Sequence, residues 1–107
     1  MSLESLEQAI KDLKSIPRKF VGDAQVTVSS SAVGLTVPSV ARRAVIQVTG
    51  ADIYFTEDGG TPSSSKGREA TLDDILEYLD ADYRTVLLDF RAIRQSADAI
   101  LKCVFYD

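Results

Sequence analysis

Apolar positions along this chain recur with two different periods. Between residues 2 and 16 they follow a helical one: Leu3, Leu6, Ile10 and Leu13 are separated by three, four and three positions. That spacing places all four side chains on one narrow stripe of a helix. Glu4, Glu7, Lys11, Asp12 and Lys14 occupy the remaining faces. Ser2 or Ser5 can cap the start, and Pro17 disfavours helix at the residue before it, so a helix is predicted over residues 1–16. A helix of this length is marginal alone and must bury its stripe against something. Leu3, Leu6, Ile10 and Leu13 are therefore a candidate interface. They face either the protein's own sheet or the same stripe of another subunit.

From Ala24 the period changes to two. Val26 and Val28 share one face, Ser29-Ser30-Ser31 interrupts, and Val33, Leu35 and Val37 alternate again up to Pro38. Ala44, Ile46 and Val48 point one way, with Arg43 and Gln47 opposite. A tight turn at Thr49-Gly50-Ala51-Asp52 follows, and Ile53 and Phe55 resume the buried face with Tyr54 outward. The stretch Arg43–Thr56 thus reads as two short half-buried strands joined by a tight turn. Glu57 to Gly67 is rich in Gly, Ser and Pro and reads as a surface loop. Its Lys66-Gly67-Arg68 has the wrong order for a phosphate-binding loop, which ends in Gly-Lys-Ser/Thr at the start of a helix.

Thr71 followed by Asp74 resembles a capping box, and Leu72, Ile75, Leu76 and Leu79 fall on one helical face. A second, short helix is predicted at about 72–79. Asp73, Asp74, Glu77, Asp80 and Asp82 read as its solvated acidic side rather than a cation site, since they lack the twelve-residue calcium-loop spacing. Val86, Leu88 and Phe90 alternate with Leu87, Asp89 and Arg91, predicting a strand that Ile93 ends. On that reading Asp89 shares a face with Arg91 and pairs with it. After a turn at Gln95–Asp98, Leu101, Cys103 and Phe105 form the buried side of a last strand. The chain is read as one domain over residues 1–107. It comprises the N-terminal helix over 1–16 and a mainly β part over 24–107, a small antiparallel β-sandwich of about seven or eight strands with one short helical insertion.

Composition narrows the chemistry. The 107 residues suit a single domain, and 45% hydrophobic content is enough for its core. Lys and Arg number 12 against 16 Asp and Glu, a net charge of −4, and the cations are scattered, so nucleic acid is not an expected partner. There is no histidine, which rules out a Ser-His-Asp triad, a Cys-His dyad and a histidine metal site. The one cysteine, Cys103, reads as a small buried hydrophobe, and no intrachain disulfide can form. No catalytic, cofactor-binding or metal-binding residues stand out, and no cofactor is expected. Neither a membrane-length apolar run nor a signal-peptide pattern is seen, so folding in a cytosol is expected.

One resemblance enters through the order of these pieces. Val26-Thr-Val28, Gly34-Leu-Thr36, Ala41-Arg-Arg-Ala-Val-Ile-Gln-Val48, Ile53-Tyr-Phe-Thr-Glu-Asp-Gly-Gly-Thr-Pro62, Gly67, Leu88-Asp-Phe-Arg-Ala-Ile93 and Ala99-Ile-Leu-Lys-Cys-Val-Phe-Tyr106 follow one another in an order that resembles small virion proteins of tailed phages and prophages. Those proteins have a β-sandwich or jelly-roll-like core. The resemblance implies a non-enzymatic structural or assembly protein. It would be made in the bacterial host cytoplasm, reside in the virion, and bind capsid, connector or further copies of itself as a homo-oligomer. The alternative expectation is a small ligand- or carbohydrate-binding module using Tyr54, Tyr83 or Tyr106 as stacking platforms.

Overall fold

A computed structural model describes residues 19–107 of the chain. The predicted N-terminal helix, with Leu3, Leu6, Ile10 and Leu13, lies outside the described residues.

The described part is mainly antiparallel β in two sheets, as the period-two runs predict. Its strands are β1 (Phe20–Val28), β2 (Arg43–Thr49), β3 (Ile53–Thr56), β4 (Arg68–Ala70), β5 (Ile75–Tyr78), β6 (Arg91–Arg94) and β7 (Ala99–Tyr106). A short helix, α1 (Arg84–Asp89), precedes β6. The larger sheet has the order β1-β7-β2-β5, and the smaller has β4-β3-β6. Val33 adds a single antiparallel bridge to Ala92 beside β6, with both backbone hydrogen bonds at 2.9 Å.

Alternation builds the core. β2 reads buried at Ala44, Ile46 and Val48, and β7 at Ala99, Leu101, Cys103 and Phe105. Register sets Ile46 opposite Cys103 and Val48 opposite Leu101, so the two strands present one continuous apolar face. Val26 and Val28 of β1 extend it. Ile53, Phe55, Ala70 and Ala92 meet it from the smaller sheet in a single core cluster. Phe90 stacks on Phe55 with ring centroids 5.5 Å apart, a contact that fixes the chain between α1 and β6.

The two short strands expected on either side of a tight turn are β2 and β3, and the turn, at Gly50, carries the chain from the larger sheet to the smaller. Gly50 has φ +86, a conformation that a residue with a Cβ rarely adopts. The Val33, Leu35, Val37 run, read as a strand, pairs only through the Val33 bridge, although all three side chains pack against the core.

The predicted helix at 72–79 is instead a turn followed by β5. The capping-box chemistry is present but closes the turn: the Thr71 amide donates to Asp74 Oδ2 at 2.8 Å, and the Asp74 amide donates to the Thr71 carbonyl at 2.9 Å. Asp73 then takes a positive φ of 74, which ends any helical path. Pairing with β2 decides the rest, with Val48 and Asp74, then Ile46 and Leu76, side by side. The helical insertion lies later, at Arg84–Asp89, where a strand is predicted. There the Asp82 carboxylate accepts from the Arg84 amide at 3.0 Å and Leu87 turns into the core. Accordingly Asp89 does not pair with Arg91, whose guanidinium donates to the Leu88 and Phe90 carbonyls at 3.0 and 2.7 Å.

Candidate functional site

The charged side chains divide into those that brace the protein's own loops and those that face outward. Arg84 Nη1 donates to the Pro38 and Ala41 carbonyls at 2.9 and 2.8 Å, tying α1 to the loop before β2. Arg43 spans the sheet end, from the Leu79 carbonyl at 3.1 Å to that of Asp107 at 2.7 Å. Arg42 pairs with Asp82 at 2.5 Å. The Arg84 amide, and then Arg42, hold the Asp82 carboxyl below its ordinary value. Arg68 pairs with Glu57 at 3.0 Å while lying 5.3 Å from the centroid of the Phe55 ring. Burial, and next the hydrogen bond with Glu57, push the Tyr78 hydroxyl's pKa up. In the 57–67 loop, the Gly60 amide and then Lys66 lower that of Asp58. Each of these groups has its partner within the fold.

The outward groups gather on the exposed face of the larger sheet. Register lines them up in rows. Asp23, Val104, Val45 and Glu77 form one row across β1-β7-β2-β5, and Gln25, Lys102, Gln47 and Ile75 form the next. A concavity of about 440 Å³ opens over these two rows. Its apolar floor of Val45 and Val104 is flanked by two amides, one carboxylate and one ammonium. Such a surface can accept an extended chain or a small polar molecule through hydrogen bonds to Gln25 and Gln47. Phe20 and Tyr106 close one end of the face, and Ile100 lies toward the other. Smaller hollows sit beside the 57–67 loop, at Phe55, Asp58, Lys66 and Arg68, and at the acidic corner of Glu77, Asp80 and Tyr83.

The sheet edges differ as much as its faces. Among the described residues β1 is the longest strand and forms one edge of the larger sheet. It is irregular at a bulge between Phe20 and Gly22. β5 forms the other edge, with only four residues and acids at Asp73, Asp74, Glu77 and Asp80 around it. β4 has three residues, and β6 has Val33 on its free side.

The three tyrosines of the carbohydrate expectation are not brought together. Tyr54 lies on the outer side of the smaller sheet, opposite Glu69 and Ile93. Tyr83 precedes α1, donates to Asp80 and meets Tyr78 edge-on with centroids 5.3 Å apart. The bond to Asp80, and then burial, raise its pKa. Tyr106 ends β7 on the outer face of the larger sheet. The acids predicted to be a solvated helix face are exposed but lie on no common helix: Asp74 accepts from the Thr71 amide, Asp80 from the Tyr83 hydroxyl and Asp82 from the Arg84 amide, while Glu77 lies in β5. Among the described residues no three His, Cys, Asp or Glu side chains gather as metal ligands. Cys103 is buried, which raises its thiol to about 12.

The outer-face residues Asp23, Gln25, Gln47 and Lys102 line a concavity that sequence reasoning misses. Each is visible as the polar member of an alternating run. What brings them together is the β1-β7-β2 register, which joins residues about 20 to 80 positions apart. The fold and face define a small two-sheet antiparallel β domain with an open sheet edge among the described residues and a mixed polar and apolar outer face. No family model matches the chain, and comparison with curated proteins and with solved structures returns no match.

Proposed function

We propose that this chain is a non-enzymatic structural or assembly protein of a phage or prophage virion, and that it works by binding capsid, connector or further copies of itself. The observation that carries this reading is the contrast between braced and open surfaces. Among the described residues, the arginines and most of the acids are spent on the protein's own loops, whereas the β1 edge and the face beside it present backbone groups, amides and apolar side chains outward. An open edge is suited to pairing with another chain. The ordered series of residues from Val26 to Tyr106 that resembles small virion proteins supplies the particle as the setting. The stripe that the sequence predicts at Leu3, Leu6, Ile10 and Leu13 would offer a second contact surface. The expected location is the virion, after synthesis in the host cytoplasm.

The test is to purify particles from producing cells on a density gradient and to search them for this chain by peptide mass spectrometry. Recovery at a fixed ratio to the major capsid protein is expected. Its absence from particles, with the protein abundant in the soluble fraction, would overturn the reading.

A second reading is favoured by one specific observation, the amide-flanked concavity over Val45 and Val104. On it the domain binds a small polar ligand, a carbohydrate among the candidates. Titration with oligosaccharides, followed by amide shifts of Gln25, Gln47 and Lys102, tests this. Shifts confined to the tyrosines, or none, would remove it.

A further inference from the structure

We infer that β1 is a self-pairing edge: two copies join β1 to β1, antiparallel across a two-fold axis at Gln25, so that the two four-stranded sheets become one sheet of eight. This deepens the reading above by naming a second copy as the partner, and it rests on that reading's statement that the chain binds itself.

The choice of edge follows from what the others lack. A strand edge resists pairing when it is short, charged, bulged or covered. β4 is short, β6 carries Val33, and β5 is short and acidic, so two β5 edges would repel each other. β1 runs for nine residues with neither Pro nor Lys, and among the described residues it pairs only on its β7 side. Its protective features are the bulge, confined to its first residues, and a single acid, Asp23.

The choice of axis follows from register. A two-fold antiparallel pair must place one residue opposite its own copy. The uninterrupted part of the β1 ladder runs from Gly22 to Val28, and its midpoint is Gln25. Centring there uses that whole run. Gln25 meets Gln25, and amides pair well since each both donates and accepts. Asp23 meets Thr27 of the other copy, so no two acids face each other. On the inner side Val26 meets Ala24 and Val28 meets Gly22, large opposite small. Centring on Asp23 would set two carboxylates face to face, which is destabilising. Centring on Ala24 would carry the ladder through the bulge. Centring on Val26 would take it past the strand end to Ser29, whose carbonyl already accepts from the Arg94 amide at 3.0 Å.

Cysteine scanning with mass measurement tests both edge and register on the full chain. Directly opposed residues in an antiparallel pair have Cα atoms about 4.5–5.5 Å apart, within disulfide range. Gln25→Cys is expected to give a covalent dimer on mild oxidation. Wild type, whose Cys103 is buried, is expected to give none. Asp23→Cys alone should not link, because its own copy lies four residues away, roughly 13 Å. Asp23→Cys with Thr27→Cys should link. Gln25→Lys, which puts two ammonium groups face to face, should raise the dimer dissociation constant at least about tenfold with melting temperature measured on the monomer unchanged.

A wild type that stays monomeric at several hundred micromolar would overturn the pairing. So would a dimer in which Gln25→Cys fails to link, or one in which Asp23→Cys links without a second substitution. Failure of the wider reading looks different. A β1-linked dimer that is absent from purified particles would sink the virion role and leave the pairing intact. A monomer recovered from particles would do the reverse.

Discussion

The β1-β7-β2 ribbon and the segment from Glu57 to Asp89 are built on different principles. In the ribbon, strands of seven to nine residues alternate, and across β2 and β7 each buried position faces another buried position. Its stability comes from apolar area, at about 25 cal/mol per Å² removed from water. In the 57–89 segment the strands have three and four residues, and particular polar contacts fix the path. Arg68 holds Glu57, Asp74 closes the Thr71 turn, Asp82 accepts from the Arg84 amide at the start of α1, and Arg84 pins α1 to the 38–41 loop. A periodic ribbon tolerates loss of most single polar groups, whereas a braced segment depends on each of its few contacts. The difference predicts where substitutions and pH act.

The largest effect belongs to the ribbon's core. Phe105 is fully buried where β7 meets β2. Phe105→Ala is expected to lower unfolding free energy by about 3–5 kcal/mol, read by urea denaturation as a lower midpoint. The next belongs to the braced segment. Gly67 has φ +95, and a Cβ there would collide with the Phe55 carbonyl and the Thr56 methyl. Gly67→Ala should therefore destabilise by roughly 1–3 kcal/mol, and alanine at exposed Gln25 by much less. Below these comes Arg84→Met, which keeps the aliphatic stem and removes the donor to Pro38 and Ala41. A loss of about 1–2 kcal/mol is expected, with α1 amides exchanging faster than those of β7. Equal acceleration in both would erase the distinction between the two regions.

Acid sharpens the comparison further. Among the described residues, the carboxyls held below their ordinary value of 3.8 are Asp58 and Asp82, both in the braced segment. A depressed folded pKa contributes stability that is present above the unfolded value and is lost as pH falls through the folded one. Below pH 3.8 the braced segment should loosen first, with the ribbon's amides still protected. In alkali the sign reverses. Cys103, raised from 9.0 to about 12, contributes stability fully present below pH 9 that is lost as pH rises toward 12. Thiol labelling of the folded protein should accordingly be negligible at neutral pH and appear with unfolding.

The same division explains what is legible in the sequence. Val26, Val28, Ala44, Ile46, Val48, Ile53, Phe55, Leu101, Cys103 and Phe105 read as one buried side from alternation alone, because a long strand with one wet face writes its orientation into every second residue. Ile75–Tyr78 and Arg84–Asp89 read with helix and strand exchanged. Runs of four to six residues fit either period, and what decides between them is a β2 partner about 30 residues away and a carboxylate at Asp82. The Thr71 and Asp74 pair carries capping chemistry, as the sequence suggests, yet it serves a turn. The outer face is legible only as unassigned polar positions, since a surface row is a property of register between strands rather than of any one strand.

Native-state amide exchange across the whole domain tests the difference between the two regions most directly. β7, paired on both sides, should carry the slowest amides, exchanging only with global unfolding, while Arg68–Asp89 opens at distinctly lower free energy. Uniform protection across both regions, or amides slower in Arg68–Asp89 than in Leu101–Phe105, would contradict it.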